Sequence, residues 1–137
     1  MPYRRETISD GETKALRVLC AEDDPHIALV LKQGLVEVGH FVECVVDGLD
    51  AIERVKAQPA FFDLVITDHN MPRSTGLVLV RALRLMGFAG RIIVHASGLR
   101  PADEKAYRQL AVDRLFDKPL QSAELMRVVA ALRRVAW

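Results

Sequence analysis

LRVLCAEDDPHIALVLKQGLVEVG, residues 16–39, sets the fold. Its opening run, 16–21, is apolar apart from Arg17 and has the length of a strand buried on both faces. Three acids, Glu22, Asp23 and Asp24, end that run. Beyond Pro25 the apolar residues recur at Ile27, Val30, Leu31, Leu35 and Val38, the spacing of one helix face. Asp24 before Pro25 is a helix start: the aspartate caps free backbone N–H groups, and proline has none to lose. Strand, acidic turn and helix make one βα unit.

The same alternation continues to the end of the chain. Strands are predicted over 41–46, 64–67, 92–96 and 114–116, and helices over 49–57, 77–86, 101–110 and 123–135. Gly39 and Pro59 punctuate the pattern. Five βα units with continuously apolar strands predict an α/β fold, a parallel sheet covered by helices on both faces. In such sheets ligands bind beyond the carboxyl ends of the strands, where the strand order reverses. The site is therefore to be sought just after strands.

At 137 residues one domain is expected, over 15–137, behind a flexible tail over 1–14 that carries Arg4, Arg5, Glu6, Asp10 and Glu12 and no signal-like apolar stretch. Nineteen basic residues against 18 acidic leave a net charge of +1, which gives no global field for nucleic acid or an anionic membrane. No apolar run approaches bilayer length, so a cytoplasmic protein with neither a nucleic-acid nor a membrane partner is expected. Cys20 and Cys44 lie in strand-like runs, too few for a disulfide framework, and read as buried free thiols.

Charge collects at three strand ends: Glu22 and Asp23 after the first, Asp68 after the third, Asp117 and Lys118 after the fifth. With the first and third strands adjacent, Glu22, Asp23 and Asp68 converge. Two carboxylates about 4 Å apart repel by roughly 4 kcal/mol at an effective dielectric near 20, so such a cluster holds either protons or a cation. An all-oxygen, solvent-open site suits Mg²⁺. Each piece alone has an ordinary reading, as a solvated loop, a cap or a surface lysine. Asp68 is the strongest of them, because a polar loop, His69, Asn70, Met71 and Pro72, follows it rather than a helix.

LRVLCAEDDP at 16–25, DLVITDHNMPRSTG at 63–76 and FDKP at 116–119 together resemble the response-regulator receiver domain of two-component signalling, over nearly the whole chain. The resemblance implies a flavodoxin-like (βα)5 sheet of strand order 2-1-3-4-5. It implies that Asp68 accepts a phosphoryl group from a sensor histidine kinase or a histidine phosphotransfer protein. It further implies that Asp23, Asp68 and the Asn70 backbone carbonyl ligate Mg²⁺, that Glu22 supports the ion through water, and that Lys118 contacts Asp68 and then the phosphoryl group. The chemistry agrees: a carboxylate is a competent nucleophile, and transfer needs chiefly positioning and charge neutralisation.

Two positions depart from the pattern. The family's hydroxyl donor at the end of the fourth strand falls on Ala96, and its switching aromatic in the fifth falls on Leu115. A hydrogen bond to a charged group contributes roughly 1.5–3 kcal/mol, so its loss at Ala96 weakens switching. Ser97 is the adjacent hydroxyl, and the Asn70 side chain lies two residues past the acceptor; both are candidate phosphoryl contacts. The four histidines, His26, His40, His69 and His95, read as core, loop or surface residues without a role. The alternative to a phosphorylated, single-domain regulator is a phosphorylation-independent interaction module. A haloacid-dehalogenase-type phosphatase is disfavoured, since Asn70 stands where that family places a second acid.

Overall fold

The structure is a computed structural model that describes residues 15–118 and 122–133, without the Arg133 side chain. The expected tail over 1–14, Pro119 of the FDKP motif and the last residues of the closing helix lie outside these residues. Within them the elements are β1 (Arg17–Ala21), α1 (Pro25–Glu37), β2 (Phe41–Val45), α2 (Gly48–Ala57), β3 (Leu64–Asp68), α3 (Gly76–Leu85), β4 (Arg91–Ala96), α4 (Pro101–Gln109), β5 (Arg114–Asp117) and α5 (Ser122–Arg133). Every predicted element forms, with boundaries moved by a residue or two. One shift matters, since Asp68 is the last residue of β3 itself and not the first of the loop.

The helices begin where side chains can satisfy free N–H groups. Asp24 accepts from the His26 and Ile27 amides at 2.9 and 3.3 Å, Asp47 from the Asp50 amide at 2.9 Å, and Thr75 from the Val78 amide at 3.3 Å. α4 starts instead at Pro101, without a side-chain cap.

The strands pair in parallel in the order β2-β1-β3-β4-β5. The chain leaves β1 for β2 on one side and returns for β3 on the other, so the carboxyl ends of β1 and β3 flank the crossover crevice. Alternation along the strands divides the core in two. Leu19, Ala21, Val65, Ile92 and Val94 face α2, α3 and α4, meeting Val55, Leu79, Leu83 and Tyr107. Cys20, Ile66, Ile93 and Phe116 face α1 and α5, meeting Leu31, Leu35, Leu125 and Val129. No helix among the described residues is long and apolar enough to cross a membrane.

Candidate functional site

Period-two alternation also builds the site. Two residues beyond Cys20, Ile66, Ile93 and Phe116 stand Glu22, Asp68, His95 and Lys118. These four are therefore the next layer of the α1/α5 face, polar where the layers beneath are apolar. Asp68 and His95 are register partners across β3 and β4. The Lys118 amide donates to the Ala96 carbonyl at 3.0 Å, which ties the end of β5 to β4.

Lys118 Nζ donates to Asp68 Oδ2 at 2.8 Å, and the Asn70 backbone N–H donates to Asp68 Oδ1 at 3.3 Å. Asp68 and Glu22 are each only 2% exposed. Glu22 Oε2 accepts the Asp24 amide at 3.0 Å, whereas Oε1 has no hydrogen bond and lies 3.4 Å from His95 Nε2. Burial, with Asp68 and Asp23 nearby, pushes the Glu22 carboxyl up to about 7, against the opposing pull of the Asp24 amide and Lys118. Burial lowers His95 to about 4, with Lys118 adding and Asp68 opposing. Asp23 and Asn70 are exposed at the rim.

The loop from His69 to Thr75 is held close to this layer. The Gly76 amide donates to the His69 carbonyl at 2.8 Å, and a Cβ at Gly76 would meet the Asp68 carbonyl oxygen at 2.5 Å. Arg73 has a positive φ of 64° and is anchored on α2, its Nε donating to Asp47 Oδ2 at 2.7 Å and its Nη2 to Asp50 Oδ1 at 3.3 Å. On the other side His69 Nδ1 pairs with the buried Tyr107 hydroxyl of α4 at 2.5 Å.

Of the residues expected from sequence, Glu22, Asp68 and Lys118 come together, with Asp23 and Asn70 beside them. Ser97 is exposed just past the end of β4. Ala96 is buried on the α2–α4 side of the sheet, and Leu115 packs on that side too, while Phe116 fills the other. One expectation needs correction. Cys44 is half-buried rather than buried, because β2 is an edge strand; it is the register partner of buried Cys20. His95 is buried as a core residue is, but it stands in the polar layer beside Asp68 and so is more than apolar packing, and His69, in the loop as expected, joins that loop to Tyr107 of α4. The signal for His95 was present in the alternation of β4, two residues past Ile93.

The donor set fits a divalent cation. A buried carboxylate oxygen without a partner, Glu22 Oε1, faces the same pocket as Asp68, and a fully buried unpaired acceptor is costly unless something compensates it.

Comparison with known proteins agrees with this geometry. The response regulator receiver domain family matches residues 18–130. The transcriptional regulatory protein TctD of Salmonella typhimurium is 34% identical over 122 residues, 88% of this chain and 54% of the relative, so the chain spans about half of that protein's length. The two-component response regulator ORR41 of Oryza sativa subsp. japonica is 32% identical over 122 residues, 88% of this chain and 96% of the relative. The solved structure of the Vibrio cholerae chemotaxis protein CheY4 has a TM-score of 0.77 at 26% identity, covering 87% of this chain and 99% of the other.

Proposed function

The chain belongs to the response regulator receiver domain family, and from that premise we propose that Asp68 is its phosphoryl acceptor, charged by a phosphohistidine donor on a sensor histidine kinase or a histidine phosphotransfer protein. The observation that carries the reading is the 2.8 Å contact of Lys118 Nζ with Asp68 Oδ2 in a pocket shared with Glu22. An Asp68 carboxylate oxygen attacks phosphorus, the N–P bond of the donor breaks, and its electron pair returns to the imidazole nitrogen. The product is an acyl phosphate. Lys118 orients the carboxylate beforehand and faces the incoming negative charge afterwards.

Asp23, Asp68, the Asn70 backbone carbonyl and, through water, Glu22 would hold Mg²⁺, which when bound supplies charge neutralisation for the phosphoryl oxygens. Ser97 and the Asn70 side chain are read as the phosphoryl group's further polar contacts. The domain catalyses only its own phosphoryl gain and loss, in the cytoplasm, and signals or relays through protein contact.

The test is intact-mass measurement after incubation with Mg²⁺ and acetyl phosphate. A phosphoryl increment on the wild type that Asp68→Asn abolishes is expected. Buried Ala96, which offers no hydroxyl, favours a second reading, an interaction module that needs no phosphate. No increment on the wild type would support that module and sink the acceptor.

A further inference from the structure

His95 is the group in the pocket that the acceptor reading leaves unused. It is 1% exposed, and neither ring nitrogen has a hydrogen-bond partner. An imidazole buried in this way forfeits roughly 1–3 kcal/mol for each unsatisfied polar group unless a ligand compensates it. Its Nε2 points at Glu22 Oε1 across 3.4 Å, and that oxygen is also without a partner. One donor atom each from Glu22, Asp68 and His95 lie within 4.8 Å of one another. Two donors on a common first-row ion, with bonds of about 2.0–2.2 Å, stand at most about 4.4 Å apart, and three cannot all exceed about 3.8 Å, so a contraction of up to about 1 Å closes the set.

We propose that His95 turns this pocket into a mixed nitrogen–oxygen site, with Glu22 and Asp68, that takes a first-row transition-metal ion in preference to Mg²⁺. The inference rests on the reading of the pocket as a cation site. The chemistry separates the two kinds of ion. Mg²⁺ demands oxygen ligands and keeps its waters, whereas affinity for a site containing imidazole rises from Mn²⁺, the most Mg²⁺-like of the series, through Co²⁺ to Cu²⁺ and falls back at Zn²⁺. An imidazole at this place is unhelpful to Mg²⁺ and favourable to the softer ions. Glu22 here is a direct ligand rather than one acting through water, which its orphan oxygen permits.

Mn²⁺ and Co²⁺ are the probes, bound to the full chain and to His95→Val and His95→Gln. Pulsed electron paramagnetic resonance of the Mn²⁺ form should show one directly coordinated ¹⁴N, absent in both variants. Co²⁺ affinity should fall roughly 10- to 100-fold in the variants, while Mg²⁺ affinity changes less than about threefold. Because any oxygen site prefers Co²⁺ to Mg²⁺ to some degree, the wild-type to variant ratio is decisive, not the preference itself. If the variants do not fold, nitrogen coupling in the wild type alone decides. Mn²⁺ or Mg²⁺ binding and Asp68 phosphorylation without nitrogen coupling would overturn the proposal and spare the acceptor. A pocket that binds no cation and gains no phosphoryl would overturn both.

Discussion

A Cβ on Gly76 would stand 2.5 Å from the Asp68 carbonyl oxygen, 2.9 Å from the Tyr107 hydroxyl and 3.0 Å from the His69 Cα. Two of these neighbours are backbone of β3 and the loop after it, which cannot turn aside as a flexible side chain can. Gly76 opens α3 behind the Thr75 cap, and helix propensity alone would favour alanine there by about 1 kcal/mol. The clash dominates, since overpacking a filled site costs about 1–3 kcal/mol. Gly76→Ala should therefore lower the urea midpoint by the equivalent of the difference, up to about 2 kcal/mol, and slow acetyl phosphate labelling of Asp68, because the strain falls on the loop beside that residue. An unchanged or higher midpoint would mean the loop relaxes freely.

Between elements, the 69–75 loop is fastened at both ends of its span: to α2 through Arg73, Asp47 and Asp50, and to α4 through His69 and Tyr107. Tyr107 is fully buried and its ring meets that of His69 edge-on at 5.5 Å. Its burial raises the phenol above the ordinary tyrosine range, with Asp103 next in effect, so the hydroxyl stays protonated. Tyr107→Phe keeps the ring and removes one buried hydrogen bond, so a loss of about 1–2 kcal/mol is expected. Hydrogen exchange should accelerate in the 69–75 loop and the last turns of α4 together; acceleration in α4 alone would show that the bond does not fasten the loop. Element order and strand ends were legible in the sequence because apolar periodicity is a local signal, written within each βα unit. Glu22, Asp68 and Lys118 were legible for the same reason, as polar residues closing apolar strands. His69 and Tyr107 were not, for 38 positions separate them and nothing in either segment's pattern records which helix face meets which loop. His95 sat between: the alternation of β4 placed it in the polar layer, but a lone histidine in an apolar run reads first as core.

At the scale of the whole molecule, one edge of the sheet gathers charge from elements that are otherwise held together by their apolar faces. Glu22, Asp23, Asp68 and Lys118 come from the ends of β1, β3 and β5, so three acids meet one base where three strands end. Burial first, then Asp68 and Asp23, raise Glu22 to about 7 although the Asp24 amide and Lys118 oppose it, so Lys118 alone does not offset the acids gathered there. A cation bound there neutralises the edge only while the three strand ends are assembled, so its binding free energy becomes stability of the fold as a whole. At a concentration 100 times the dissociation constant the gain is about 2.7 kcal/mol. For a domain of this size that corresponds to a rise in Tm of roughly 10 °C. Calorimetry of the full chain at increasing Mg²⁺ should show this rise, reversed by EDTA. Asp68→Asn should start from a Tm at or above that of the metal-free wild type, because it removes one of the repelling carboxylates, and should gain far less from Mg²⁺. Lys118, 23% exposed, keeps partial access to water, which offsets part of the loss of its ion pair with Asp68. A wild-type Tm indifferent to Mg²⁺ would mean that the acids at this edge are held by protons and Lys118 alone, and the charge argument for a cation would fall.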